Sequence, residues 1–214
     1  MSTTRTDAFI AFNDAHSLAL RIWHWTTFAV ITTSIVLVLM GTFMFKTRDN
    51  VGMVQEQLEH KGATVTKDQA RSVAHEYSDK IWMTHKFVGY GLCFLLLSRI
   101  LLEAAQPGEE KYRAKLKRAL MFQSADAKHY RLVKQGYLLF YFLFFVMAAT
   151  GLVLAFEDVA FLDPIHEPMG KLHEFTQYGI YAFILIHLTG VVRAEIGSHD
   201  GVVSAMFHGK KRKG

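Results

Sequence analysis

Two histidines near the end of the chain, His173 and His187, bracket a stretch with no charged residue from Phe175 to Val192. Fourteen residues separate them. On an α-helix that interval is ~21 Å of rise and about 40° short of four turns, so both imidazoles leave one face. Two more histidines fall inside apolar runs: His24 in Arg21-Ile22-Trp23-His24-Trp25, and His85 in Ile81-Trp82-Met83-Thr84-His85. An imidazole inside an apolar helix of spanning length needs a polar partner or a metal. The plainer reading of any one of them is a hydrogen-bonded or interfacial ring.

The elements that position these rings are four apolar runs of membrane-spanning length: 22–45, 81–102, 136–156 and 175–192. Of the 214 residues 51% are hydrophobic and 13% aromatic, yet mean hydropathy is only mildly positive. The average hides two phases, apolar spans and charged connections. The spans predict an all-α fold, one integral membrane four-helix bundle over 1–214. The first run is too long for a signal-peptide core, and no small-residue cleavage site follows it, so it is read as a true span.

Charge sets the expected orientation. The connection 103–134 carries eight Lys/Arg against four acids, and Lys210, Lys211, Arg212 and Lys213 lie in the tail. The segment 157–171 has four acids and one lysine. By the positive-inside rule both termini and the basic loop 103–134 are cytoplasmic, and the loops 46–80 and 157–171 lie outside. The net charge of +5 then reports topology and anionic lipid; a nucleic-acid partner is not expected.

Orientation converts histidine positions into depths. His24 and His187 fall at the inner level, His85 and His173 at the outer level. Each level receives two imidazoles from different helices, which is how a helical bundle holds haem between facing side chains. Doubly ligated iron passes electrons and leaves no position for oxygen. Zinc wants four close N or S ligands, whereas these come as separated pairs and Cys93 is the lone thiol. A proton relay is the third use. Haem attachment by thioether bonds is excluded, because no C-x-x-C-H motif is present.

Smaller signals complete the chain. Residues 1–20 are expected along the inner surface. The loop 46–80 has six basic and six acidic residues. It predicts short helices over 55–60 and 67–77, broken at Gly62, with a capping box from Thr66 to Gln69. Such a loop is a folded cap, a docking surface or a solvated hairpin. Gly89 and Gly91, about a turn beyond His85, admit either a flat macrocycle or a neighbouring helix. Residues 111–121 predict an amphipathic surface helix. Asp163-Pro164 and Glu167-Pro168 are loop signals. His16, His60, His75, His129, His166, His199 and His208 are expected in exposed connections or tails, with His129 nearest the inner interface. Arg21, Trp23, Arg99, His129 and Arg193 cluster at the inner level. They suit a quinone headgroup, haem propionates, or lipid snorkelling.

The pattern resembles the bacterial cytochrome b561 family and the cytochrome b subunits of membrane-bound nickel–iron hydrogenases. The matching residues are Arg21-Ile-Trp-His24-Trp, Ile81-Trp-Met-Thr-His85 through Ser98-Arg99-Ile-Leu, Ala149-Thr-Gly151-Leu-Val, and Leu172-His173-Glu with Gly179, Tyr181 and His187. The resemblance covers all four spans. It implies a quinone-reactive protein of the bacterial inner membrane with two non-covalent b haems on His24, His85, His173 and His187. The outer loop is longer than the compact b561 pattern. A hydrogenase-like chain receives electrons outside from a periplasmic iron–sulfur subunit. A compact b561-like chain works alone with quinone and a small diffusible species such as superoxide. A non-redox scaffold or transporter is the rival class.

Overall fold

The computed structural model describes residues 17–108, 111–121, 125–196 and 202–209. The expectation that 1–20 lie on the inner surface falls mostly outside these, as do His16, His199 and the basic tail from Lys210. Every regular element among the described residues is a helix. Helix α1 spans Leu18–Leu39 and runs into a π-helical turn, Met40–Met44. Then follow α2, Thr47–His60; α3, Lys67–Ala105; α4, Tyr112–Leu120; α5, Ala125–Ala155; α6, Asp163–Ile196; and α7, Val202–His208. Among them α1, α3, α5 and α6 contain segments long and apolar enough to cross a membrane. This is the helix inventory of an all-α membrane bundle. Large apolar side chains such as Phe94, Phe175 and Ile186 are exposed along them, as lipid-facing residues are.

The chain forms two compact units, residues 26–94 and residues 1–25 with 95–214. In the first, α2 and the start of α3 make a helical hairpin. Val51 packs on Ala70 and Ala74, with Val54 beside them. Two alanines one turn apart let the helices approach closely, and Ala70 is fully buried. The reversal uses Gly62 at φ +83°, the left-handed position that ends a helix. Its amide donates to Glu59 O at 2.9 Å. The start of α3 is the expected capping box: Thr66 N–H donates to Gln69 Oε1 (2.8 Å), and Gln69 N–H to Thr66 Oγ1 (3.3 Å). The loop is therefore a folded cap with its own small core.

One expectation here is corrected. The helix beginning at Lys67 does not stop at residue 77; it runs on through the second span to Ala105. No Gly or Pro interrupts 67–88, and His75–Asp79 and Glu76–Lys80 pair one turn apart.

In the second unit α5 and α6 pack along their length, with α4 against α5 and α7 against α6. Gly179 allows the approach: a Cβ there would sit 3.3 Å from Leu143. Here too the sequence misleads. The segment 157–171 is not all turn, because α6 begins at Asp163 and passes through both prolines. Pro164 occupies the first turn, where its missing N–H has no partner to lose. Pro168 removes one bond near an exposed end.

Candidate haem-binding residues and the Trp23–Arg99 cluster

His24 and His187 meet. Their ring centroids are 6.3 Å apart, tilted by 59°. His24 sits in the second turn of α1, and His187 nine residues before the end of α6. Metal–imidazole bonds of about 2 Å put two trans ring centres about 6 Å apart. The separation thus suits ligands on opposite faces of one metal. Each ring is flanked by an aromatic side chain. Phe183, one turn before His187, lies 5.9 Å away with planes 7° apart, and itself stacks on Phe140 of α5 at 4.7 Å. Trp25 meets His24 edge-on at 5.3 Å.

His173 is held by α5. Thr150, only 3% exposed, places its hydroxyl 2.8 Å from His173 Nδ1. The same hydroxyl donates to Val146 O at 2.7 Å. Gly151, the next residue, faces the ring: a Cβ there would lie 3.2 Å from His173 Cε1. His85, in the other unit, has Ser34 Oγ 3.4 Å from its Nδ1 and Trp82 edge-on at 5.9 Å. Near it, a Cβ added to Gly89 would meet nothing within 4 Å, and one on Gly91 would reach only Val30 at 4.0 Å. These glycines border open space, the room a flat cofactor needs.

His166 differs from expectation. It is half-buried within α6, not in an exposed connection, and lies two turns before His173 on nearly the same face. Its Nε2 is shielded from solvent and has no hydrogen-bond partner among the described residues. The seven-residue interval from His166 to His173 was the signal for it. His60, His75, His129 and His208 are exposed, as expected. Among the described residues no three of His, Cys, Asp or Glu gather closely enough to hold a metal ion. The histidines are therefore available as pairs.

At the other end of the spans, Trp23, Arg99 and Tyr141 come together. Trp23 Nε1 donates to Leu95 O at 2.7 Å. The Arg99 guanidinium lies 5.9 Å from the Trp23 ring and 5.3 Å from the Tyr141 ring. Arg99 Nε donates to Tyr141 Oη at 3.0 Å, and its terminal nitrogens to Glu103 Oε2 at 3.2 Å. Glu103 Oε1 accepts the Tyr112 amide at 2.6 Å. Tyr112 Oη donates to Lys134 O at 3.0 Å, and burial pushes its phenol pKa upward. Because Tyr141 accepts from Arg99, its own hydroxyl proton remains to be donated. Nothing in the sequence singled out Tyr141, and Thr150 stood out only as part of the stretch Ala149-Thr-Gly151-Leu-Val; the role of each comes from a neighbour on another helix.

Arg21 has a different setting. It donates to Phe207 O at the end of α7, with Gly209 against its guanidinium. Trp25 Nε1 donates to Met206 O at 3.2 Å and stacks on Phe207 at 4.4 Å. His129 and Arg193 are exposed and have no contact with the Trp23–Arg99 group among the interactions described.

A family profile, that of prokaryotic cytochrome b561, matches residues 15–209. No curated protein and no solved structure matches the chain.

Proposed function

The chain belongs to the prokaryotic cytochrome b561 family, membrane proteins of b-type haem electron transfer, and from that membership we propose a two-haem protein that exchanges electrons between quinone and a redox partner on the other side of a bacterial inner membrane. His24 with His187 would hold one haem, and His85 with His173 the other. A b haem so held takes up and gives up one electron without an open coordination position. The observation that carries the reading is the 6.3 Å between the His24 and His187 rings, contributed by two separate spans.

The chain's own residues have distinct tasks. Thr150 and Gly151 fix the tautomer and approach of His173. Phe183 and Trp25 fix the ring planes at the other pair. Trp23, Arg99 and Tyr141 form the wall of a quinone headgroup site, in which the Tyr141 hydroxyl donates to a quinone carbonyl. Arg99 aligns that phenol. Arg21, His129 and Arg193 serve the rim and the anionic lipid surface. The external partner, an iron–sulfur or hydrogenase-like subunit, would dock on the side of the folded cap.

The test is spectroscopic. The purified protein should be red, with a sharp α-band on reduction that resolves into two components. His24→Ala or His187→Ala should remove one component, and His85→Ala or His173→Ala the other. A colourless folded preparation would overturn the haem reading; equal loss of both components in every variant would overturn the pairing.

A further inference from the structure

A cavity of about 410 Å³ opens within the unit 26–94, where the π-helical turn, the start of α2 and the middle of the extramembrane part of α3 converge. Its floor is Trp82 laid against Gly41. The glycine is buried, and a Cβ there would come within 3.0 Å of the indole. Only glycine lets the π-turn and the ring close the floor, and π-turns inside α-helices are frequent at functional sites.

The rim carries three cations, Lys46, Arg48 and Arg71, with the His75 imidazole beside them. Two carboxylates offset part of that charge. Asp49 lies 3.3 Å from Arg48 Nε, and Asp79 lies 2.6 Å from His75 Nδ1. Lys46 and Arg71 have no carboxylate partner among the described residues, so the rim stays net positive. Two further features attract oxygen anions. Helix α2 begins at Thr47, in the cavity lining, without any side-chain cap; the Asp49 amide donates to Lys46 O at 3.1 Å, and the Thr47 and Arg48 amides ahead of it have no acceptor among the described residues. Ser78, 8% exposed, also lines the cavity and makes no hydrogen bond among the described residues.

We infer that this cavity is a binding site for a phosphate oxyanion, recognised by Arg71, Arg48 and Lys46 with the Ser78 hydroxyl and the α2 amides. Guanidinium forks match the tetrahedral oxygens of phosphate. The volume suits a headgroup or a small phosphoester. Two sources share this chemistry: an anionic phospholipid headgroup and free phosphate. The position favours the lipid, since Lys46 directly follows the first span and Trp82 lies at the head of the second. The site is independent of whether His24, His85, His173 and His187 hold haem.

The full-length protein in phosphatidylcholine nanodiscs is titrated with inorganic phosphate by equilibrium dialysis. In parallel, native mass spectrometry measures phosphatidylglycerol retained from mixed nanodiscs. Saturable phosphate binding at one per chain identifies the free anion; selective retention of phosphatidylglycerol alone identifies the lipid. In either case Lys46→Gln and Arg71→Gln should each weaken binding about tenfold. Arg71→Lys should recover part of it, and Ser78→Ala should weaken it less. Lys46 and Arg71 are exposed, so both substitutions leave the packed core intact. The inference fails if neither probe binds selectively, or if K46Q and R71Q bind like the wild-type chain.

Discussion

The Thr150 hydroxyl donates to the Val146 carbonyl at 2.7 Å and lies 2.8 Å from His173 Nδ1. A hydroxyl has one proton, and here the backbone of its own helix takes it. With that proton committed, the hydroxyl can accept from His173 in its Nδ1–H tautomer, the form that keeps an Nε2 lone pair for a metal. Thr150→Val keeps the shape and removes the acceptor. It should weaken retention of the haem on His173 roughly ten- to a hundredfold and shift that component's midpoint potential. Haem content and a redox titration measure both. Thr150→Ser should restore the wild-type behaviour, whereas a Val variant with unchanged content and potential would remove the argument for this hydroxyl.

Two glycines differ in what surrounds them. A Cβ on Gly151 meets the His173 ring at 3.2 Å; one on Gly89 meets no protein atom within 4 Å. Gly151→Ala should therefore displace the ring by a few tenths of an ångström and broaden one spectral component. Gly89→Leu enters space that is open in the polypeptide. In a haem-free preparation it should leave the unfolding free energy unchanged within about 0.5 kcal/mol. In the presence of haem it should exclude the group nearest His85. Equal haem content in Gly89→Leu and wild type would show that the space serves something else.

Much of this was readable from residue order, and the misses share a cause. The four spans follow from their apolar length, and the starts of α2's hairpin partner and of the helix Tyr112–Leu120 follow from local chemistry. Thr66 and Gln69 act within four residues, so the sequence suffices. Pro164 and Pro168 signal a break only in a helix interior; near an N-terminus the same residues are compatible with a helix, and α6 starts there. Thr150 looks like any hydroxyl that bonds back one turn, as Thr32, Thr33, Thr84, Thr176 and Thr189 do. What sets it apart is a ring 23 positions onward. His166 lies inside a helix for the same reason as the prolines: α6 begins at Asp163, ahead of the charge-free run.

The cap should melt separately from the spans. Its core is three small buried side chains, Val51, Ala70 and Ala74, and the capping box supports one of its two helices. Thr66→Ala should destabilise that helix start by about 1 kcal/mol. Hydrogen exchange should speed up at Gln69 and Ala70 and remain unchanged in α5 and α6. Faster exchange throughout the chain would mean that the cap and the spans unfold as one.

Tyr141 and Arg99 divide binding from stability. Arg99, with its side chain 13% exposed, is held by Glu103 at 3.2 Å. Arg99→Gln strands a half-buried carboxylate and should lower stability by about 2 kcal/mol; Arg99→Gln with Glu103→Gln should recover part of that. Tyr141→Phe removes a hydroxyl that accepts from Arg99 Nε and can donate to a ligand, and leaves Arg99 its bonds to Glu103. It should cost about 1 kcal/mol of stability, less than Arg99→Gln, and keep both spectral components. It should raise the KM for quinone roughly five- to tenfold, read by the rate at which reduced protein is reoxidised over a range of quinone concentrations. A Tyr141→Phe variant that melts early but turns over quinone normally would make this phenol a strut for Arg99 and move the quinone site elsewhere.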